Sequence, residues 1–261
     1  MNPETLALTV FFGLTGLFVL LDAVRPARAL PPLPGWRVRG TVSFVVAFFV
    51  SSFAPLLWDG WLAQFQVFDL SALGIVGAAA VGFLVYQSLL YAWHRTMHRN
   101  HTLWRIFHQM HHSAERHDVY GAFYFHPVDV VGFSLVGSLA LVVVAGVPVE
   151  SALIVAGLAN ALALFQHANL RTPRWLGYFV VRPESHMVHH QRGLHAFNYC
   201  DFPLIDMVMG TFRNPAKFEG KTGFYDGASA RVGEMLIARD VSMPSTSDAD
   251  HDSGIHPALA A

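Results

Sequence analysis

Long uncharged stretches dominate the pattern of hydrophobic and polar positions in this chain. Five of them contain no Asp, Glu, Lys or Arg and run for 17, 19, 24, 20 and 20 residues: 5–21, 40–58, 70–93, 130–149 and 151–170. A bilayer core of about 30 Å needs roughly 20 apolar residues in a helix that crosses it. The pattern therefore predicts an all-α integral membrane protein with about four to five transmembrane helices, of which 5–21 is the shortest.

Basic residues fall on alternate connections between these stretches. Segments 22–39 and 94–129 carry four Arg each, and the segment after residue 170 opens with Arg171, Arg174 and Arg182. The other connections, which are 1–4, 59–69 and 150, hold no Lys or Arg. Because cytoplasmic loops carry an excess of basic residues, we expect the N-terminus outside and the C-terminus inside. A tight helical hairpin is expected at Gly146-Val147-Pro148.

Composition narrows the class of protein further. Only 13% of the 261 residues are charged, whereas soluble domains carry about 25%. Helices buried in a soluble core would need charged amphipathic partners, and the sequence has almost none. The single cysteine, Cys200, excludes a disulfide framework and a cysteine-rich zinc site. A net charge of −1 gives no basic footprint for nucleic acid.

Histidine is concentrated in one part of the chain, since thirteen of the 15 histidines lie between residues 94 and 195. Eight of them have spacings of i, i+4 or i, i+3, i+4, which place side chains on one face of a helix. The three motifs are His94-x-x-x-His98, His108-x-x-His111-His112 and His186-x-x-His189-His190. Eight imidazoles predict a site for two metal ions, and neutral imidazole suits iron, copper, zinc and nickel.

Two other uses of such motifs are less consistent with the sequence. A zinc hydrolase of the His-Glu-x-x-His type needs a Glu inside the motif as general base. No carboxylate lies inside any of the three motifs. Their composition therefore favours a redox metal, and we assign no separate catalytic acid or base. A metal transporter or sensor would need ligands along a path through the bilayer, whereas nearly all the histidines lie on one predicted side.

Other polar residues lie close to these motifs. His167 is near the inner end of the fifth span, where an ionisable residue is a functional candidate. His126 and His195 are expected to be ligands, partners of ligands or loop residues, while His101 and His117 fall outside the helical spacing and are expected to be spectators. Six acids are available to orient the rings: Glu115, Asp118, Asp129, Glu184, Asp201 and Asp206.

Four segments carry a resemblance to a known family: HRTMHRNHTLWRIFHQMHHS (94–113), FHPVD (125–129), FQHANL (165–170) and ESHMVHHQRGLHAFNYCDFPLIDMVMGTF (184–212). They resemble the fatty acid hydroxylase superfamily, also called the sterol desaturase family. The resemblance implies a non-haem diiron centre in a cytosolic helical cap on a membrane domain, with O₂ as cosubstrate. The positions that match family histidines are His94, His98, His108, His111, His112, His167, His186, His189 and His190.

Three positions depart from the family pattern. Asn169 stands near the place where the fullest ligand sets have a second histidine, so the ninth and tenth ligands stay open and a water-bridged Asn169 is one solution. Asp129 replaces the Glu that commonly follows His-Pro, and Cys200 replaces a common Gly after Asn-Tyr. The residues left as additional ligands or partners of ligands are His126, Asn169, His195 and Asp206.

The resemblance implies a monooxygenase that hydroxylates an unactivated C–H bond of a lipid-like substrate taken from the bilayer, such as a fatty acyl chain, a sterol or a carotenoid. A lipid or sterol desaturase with the same diiron site is the alternative, and motif spacing does not decide between them. The sequence shows no cytochrome b5-like or flavin domain. Electrons are therefore expected from a separate reductase, ferredoxin or cytochrome b5-type partner.

One domain and a tail are expected. Residues 1–225 are predicted to form a single membrane-embedded domain that contains the histidine motifs. Apolar periodicity is lost from about Asp226, and 243–261 are small, polar and proline-containing. Such composition cannot bury enough apolar surface to fold, so 226–261 are expected to be a disordered tail in which His251 and His256 are spectators.

Overall fold

The computed structural model describes residues 2–244, and these residues contain no β-strand. Five helices are long and apolar enough to cross a membrane: Pro3–Val24, Trp36–Leu57, Ser71–Arg99, Pro127–Val144 and Val149–His167. Each coincides with one of the predicted spans. The all-α fold with five spans is therefore confirmed, and the protein is an integral membrane protein.

Short helices lie in the connections outside the spans. The α-helices of residues 2–244, in chain order, are α1 (Pro3–Val24), α2 (Trp36–Phe53), α3 (Asp59–Leu62), α4 (Gly74–Arg99), α5 (His101–Leu103), α6 (Gln109–His112), α7 (Pro127–Ser138), α8 (Val149–His167), α9 (Pro183–His189), α10 (Leu204–Val208) and α11 (Val232–Leu236). A π-helical turn over Trp104–His108 joins α5 to α6, so 101–112 form one continuous helix. A second π-helical turn, Leu139–Val144, extends α7.

The spans begin and turn where the sequence supplies caps. The Asn2 side chain accepts a hydrogen bond from the backbone N–H of Thr5 at the start of α1. Between α7 and α8 the chain turns at Gly146, whose φ of 54° lies in the left-handed region that favours glycine. Pro148 then directly precedes α8. The predicted tight hairpin is confirmed.

Helix α8 is central in the membrane domain, where it packs against α1, α4 and α9. Ala79, Ala140, Leu141 and Val155 form a buried apolar cluster among α4, α8 and the extension of α7. No residue of α1 is fully buried within the protein. Leu14 and Phe18 pack toward α8, whereas Leu8, Leu17 and Leu20 are exposed, as on a helix with one lipid-facing side. Both α4 and α8 carry histidines near their C-terminal ends, so the candidate functional residues lie at this end of the bundle.

A helical cap made by 100–126 and the segment after residue 170 covers this end. Its apolar cluster joins α2 to the cap through Trp36, Met110, Tyr124 and Met235. Trp36 also donates a hydrogen bond from Nε1 to Asp118 at 2.9 Å. The cap is therefore held to the spans by buried apolar contacts and by polar ones.

Part of the predicted tail is folded. Residues 228–241 include α11, and Met235 and Val241 are fully buried in the cap. Helix α11 is only five residues long, too short for a helical period to be evident in the sequence, so its burial depends on a surface that the rest of the cap provides. Residues 245–261, with His251 and His256, lie outside the described residues.

Candidate metal centre

Nine histidine side chains form two groups where α4, α8 and the cap meet. Within each group, one nitrogen from every ring lies within 4.8 Å of those from the others. The first histidine group consists of His94, His98, His108, His112 and His189, and the second of His111, His167, His186 and His190. His98 is half-buried and the other eight are buried. The structure thus brings together all nine histidines that match family positions.

Each His-x-x-His-His motif contributes to both groups. Consecutive residues of an α-helix project about 100° apart, and His112 and His111 accordingly belong to the first and second groups. His189 and His190 divide in the same way. The rings of His112 and His190 stack with their centroids 4.2 Å apart, so the two groups are in contact. This arrangement suits a dinuclear centre.

Three rings of the first group are oriented by hydrogen bonds from Nδ1. The acceptors are the carbonyl oxygen of Tyr199 for His94 at 2.8 Å, that of Phe197 for His189 at 2.6 Å, and Asp129 Oδ2 for His108 at 2.7 Å. A neutral imidazole that is protonated at Nδ1 keeps its lone pair on Nε2. These oxygens therefore determine which nitrogen each ring offers to a metal.

The Nε2 atoms of the same three rings converge. His108 Nε2 and His189 Nε2 lie 2.9 and 3.0 Å from His94 Nε2. Because each of these atoms carries a lone pair, their approach is repulsive unless a cation lies between them. Five further ring nitrogens are buried without a hydrogen-bond partner: His98 Nε2, His112 Nε2, His111 Nδ1, His167 Nε2 and His186 Nδ1. This donor set fits two transition-metal ions.

Burial keeps the cap histidines in the neutral form. Burial is the main cause of a pKa well below the ordinary value of 6.5, and neighbouring imidazoles lower the pKa further. The rings concerned are His108, His111, His112, His186, His189 and His190. A neutral imidazole is the form that binds a metal. The electrostatics of the cap therefore favour the ligand state of these rings.

Two of the additional residues named from the sequence support the first histidine group. His195 Nδ1 lies 3.1 Å from His112 Nδ1, so it can orient that ring while His112 Nε2 faces the group. Asp206 accepts hydrogen bonds from the backbone N–H groups of Tyr199 and Cys200. It thereby holds the loop whose Tyr199 carbonyl positions a histidine.

The other two lie at the junction of spans and cap. His126 accepts a hydrogen bond from the N–H of Val128 and caps α7. The Asn169 side chain donates to the carbonyl oxygen of Arg28, and its backbone N–H donates to Asp22. Neither side chain belongs to one of the two histidine groups.

Comparison with known protein families covers the segment that builds this centre. A profile of the fatty acid hydroxylase family matches residues 79–211, about half of the chain, and these residues include all nine histidines of the two groups. The chain belongs to the fatty acid hydroxylase family.

Curated relatives share part of this chain. A sphinganine C4-monooxygenase of Arabidopsis thaliana is 28% identical over 133 residues, which are 49% of this chain and 51% of the relative. An ornithine lipid hydroxylase of Rhizobium tropici is 30% identical over 164 residues, 61% of this chain and 45% of the relative. A very-long-chain aldehyde decarbonylase of Oryza sativa subsp. japonica is 30% identical over 139 residues, 50% and 52%. The chain spans about half the length of the curated relatives it matches, and no solved structure matches it.

Within the family segment, His117 lies beside the second histidine group although its spacing predicts a spectator. Its ring stacks on that of His167 with the centroids 5.0 Å apart, and its Nε2 donates to the carbonyl oxygen of Gln166 at 2.8 Å. His117 follows α6 in a turn, so no helical spacing connects it with the motifs. His101, in contrast, lies at the surface and contacts Asp240.

One of the six available acids contacts a histidine of the two groups within the described residues. This is Asp129, through His108. Asp201 instead accepts hydrogen bonds from Gln87 and Gln166, and burial raises its pKa to about 6. The other four bind elsewhere in the cap or its connections: Glu115, Asp118, Glu184 and Asp206.

Proposed function

We propose that this protein is a membrane-bound monooxygenase that hydroxylates an unactivated C–H bond of a lipid-like substrate at a non-haem diiron centre. The observation that carries this proposal is the pair of buried, all-histidine groups in a chain of the fatty acid hydroxylase family. Two relatives, a sphinganine C4-monooxygenase and an ornithine lipid hydroxylase, support lipid hydroxylation.

The nine histidines are the proposed ligands, with one iron ion in each group. Bound iron would supply the oxidant, derived from O₂, that a strong C–H bond requires. The overall reaction converts the C–H bond, O₂, two electrons and two protons into an alcohol and water. A separate electron-transfer protein, such as a reductase, a ferredoxin or a cytochrome b5-type protein, is therefore part of the proposal.

Other groups of the protein position the ligands and admit the substrate. Asp129 and the carbonyl oxygens of Phe197 and Tyr199 set the orientation of three rings. The spans α4 and α8 lead from the bilayer directly to these rings, so an apolar substrate can approach sideways from the lipid phase.

We further propose that the histidine-bearing end faces the cytoplasm and that the N-terminus lies outside. The arginine-rich connections 22–39 and 94–129 lie at this end, as the positive-inside rule requires for cytoplasmic loops. We also propose that residues 1–225 form the catalytic domain, to whose cap residues 228–241 add buried side chains.

Replacing His189 tests the site and the reaction together. His189→Ala removes a ligand that touches both His94 and His112, so we expect O₂-dependent product to be abolished and bound iron to fall below two ions per chain. Mass spectrometry of lipids from expressing cells identifies the product. Gain of one oxygen atom indicates hydroxylation, and loss of two hydrogens indicates the desaturase alternative.

His101→Ala is the matched control, because its side chain is 69% exposed and lies outside both groups. It should leave iron content and product unchanged. Unchanged turnover in His189→Ala would contradict the site assignment. Zinc alone in fresh, iron-replete preparations would contradict the oxygenase proposal.

A further inference from the structure

An open groove of about 390 Å³ lies beside the C-terminal end of α4. One aromatic layer connects it with the first histidine group. Tyr91 lines the groove, and its ring packs edge-on against that of Tyr199 at 5.8 Å. The Tyr199 ring lies 5.6 Å from that of His94 and 5.3 Å from that of His98. A molecule held in the groove is therefore a neighbour of the metal centre.

The charge of the groove is entirely positive. Arg95 and Arg99 line it together with uncharged residues, and no acidic side chain does. Neither arginine forms an ion pair within residues 2–244, whereas Arg116, Arg192 and Arg231 all do. The two cations stand one helical turn apart, where like charges repel each other. An anion bound between them would remove this repulsion.

Arg95 is held ready for such an anion. Its Nη1 donates to the hydroxyl of Tyr91 at 2.7 Å, and that hydroxyl contacts Thr211 Oγ1 at 3.2 Å. Thr211 in turn donates to the buried Asp206 at 2.6 Å. A guanidinium has five N–H donors in a planar fork that matches an oxyanion. One donor is used by Tyr91, and the position of the others is set by this chain of hydrogen bonds.

A further donor and an apolar rim complete the groove. The Asn100 side-chain oxygen caps α5 by accepting from Thr102 and Leu103, while its NH₂ group makes no hydrogen bond within residues 2–244. Met209 lines the other side and is 50% exposed, and the neighbouring Val208 is 76% exposed. Cationic donors beside exposed apolar side chains at the end of a membrane span match the headgroup region of a bilayer.

We propose that this groove binds the anionic headgroup of a membrane lipid, through phosphate or carboxylate oxygens, and that the substrate of the hydroxylase carries such a headgroup. The statement about the substrate rests on the proposed function, whereas the statement about headgroup binding does not. Arg95 and Arg99 are the principal contacts, and Asn100 contributes the third donor. The lipid chain then begins next to Tyr199 and the first histidine group.

Binding of short-chain phosphatidylglycerol to the purified full chain in neutral detergent tests the headgroup site by calorimetry. Arg95→Gln/Arg99→Gln is expected to weaken binding at least about tenfold, since each bond to a charged group contributes about 1.5–3 kcal/mol. The matched control is Arg25→Gln/Arg37→Gln, which removes the same charge from exposed positions at the same end of the spans. It should change binding less than twofold. Phosphatidylcholine should bind more weakly than phosphatidylglycerol.

Three results would overturn the headgroup site. Equal weakening in both double variants means diffuse attraction, and inorganic phosphate that binds as tightly as the lipid means a site for the free ion. Unchanged lipid binding in Arg95→Gln/Arg99→Gln, together with slower reduction by an acidic electron-transfer protein, means a protein-docking surface.

Turnover measurements then distinguish lipid binding in the groove from binding of the substrate there. With an identified substrate, the groove variant is expected to raise KM at least about tenfold with kcat nearly preserved, because the reacting centre is untouched. If the variant loses lipid binding but keeps its KM, the groove binds a lipid headgroup that is not the headgroup of the substrate. Absence of any oxygenated product contradicts the proposed function and leaves the calorimetric result standing.

Discussion

A hydrogen bond from Nδ1 determines which nitrogen three histidines of the first histidine group can offer to a metal. The strongest case is His108, which donates to Asp129 while both side chains are almost completely buried. A buried carboxylate is unfavourable unless it is paired, and here the partner is an imidazole whose other nitrogen faces His94 Nε2 in the first histidine group. The pair makes the ring a better donor and places negative charge close to the expected cations.

Replacing Asp129 with Ala is expected to lower metal affinity about 10–100-fold, the usual effect of removing a partner of a metal-bound histidine. Competition of the purified protein with a chelator of known affinity measures this change. Asp129→Asn keeps an acceptor oxygen and should recover part of the loss. Asp69→Ala is the control, because Asp69 lies in an exposed connection and contacts Ser71. Equal metal affinity in Asp129→Ala and the unmodified chain would refute the role.

Helix geometry determines which histidines of one helix belong to the same histidine group. The i, i+4 pair His94 and His98 stays on one face of α4 and enters one group, whereas adjacent residues such as His111 and His112 diverge. The π-helical turn over Trp104–His108 places His108 just before α6, so that it joins His112 in the first group. Helix periodicity therefore explains the division once the positions of both groups are known.

The hairpin between α7 and α8 gives a prediction about an element rather than a single contact. Gly146 has φ of 54°, and a Cβ atom there would overlap the carbonyl oxygen of Phe68. Gly146→Ala is therefore expected to destabilise the protein by more than about 1 kcal/mol. Thermal unfolding in detergent measures the change.

Gly157→Ala is the matched control within α8, because a Cβ atom at that position meets nothing within 4 Å. There the substitution should be neutral or raise stability by up to about 1 kcal/mol. If both substitutions lower the unfolding midpoint equally, the turn at Gly146 is not the reason for its glycine.

The whole molecule packs many neutral imidazoles into one buried volume, which makes it sensitive to acid. The pKa of each of the six cap histidines lies below 6.5, so the unfolded chain binds more protons between that pKa and 6.5. Stability is therefore lost as the pH falls below about 6.5, by up to about 1.4 kcal/mol per pH unit for each ring. Asp201 and Asp206 act oppositely, because burial raises the pKa of both carboxyl groups, that of Asp201 from 3.8 to about 6, and each lowers stability as the pH rises from the ordinary value to the raised one.

Six rings outnumber these two carboxyl groups, so the metal-free protein is expected to unfold at lower temperature as the pH is lowered from about 7.5 to about 5. Differential scanning fluorimetry across this range measures the midpoint. Iron-loaded protein should lose its metal over the same range, because protons compete for the ligand nitrogens. A midpoint that rises on acidification would show that the carboxyl groups dominate.

The sequence by itself determined the features that depend on short stretches of chain. Hydropathy over about 20 residues is enough for a span, and the spacing within each motif is enough to place its histidines on a helix. The sequence alone also sufficed to identify the family, because the motifs occur in a characteristic order.

Only the tertiary structure decided which histidines belong to the same histidine group. His94 and His189 are 95 residues apart in sequence, yet their Nε2 atoms lie 3.0 Å apart. It also placed His117 beside the second group and folded 228–241 into the cap. The physical reason is the same in each case: periodicity defines the face of a helix, and packing against distant segments defines what that face meets.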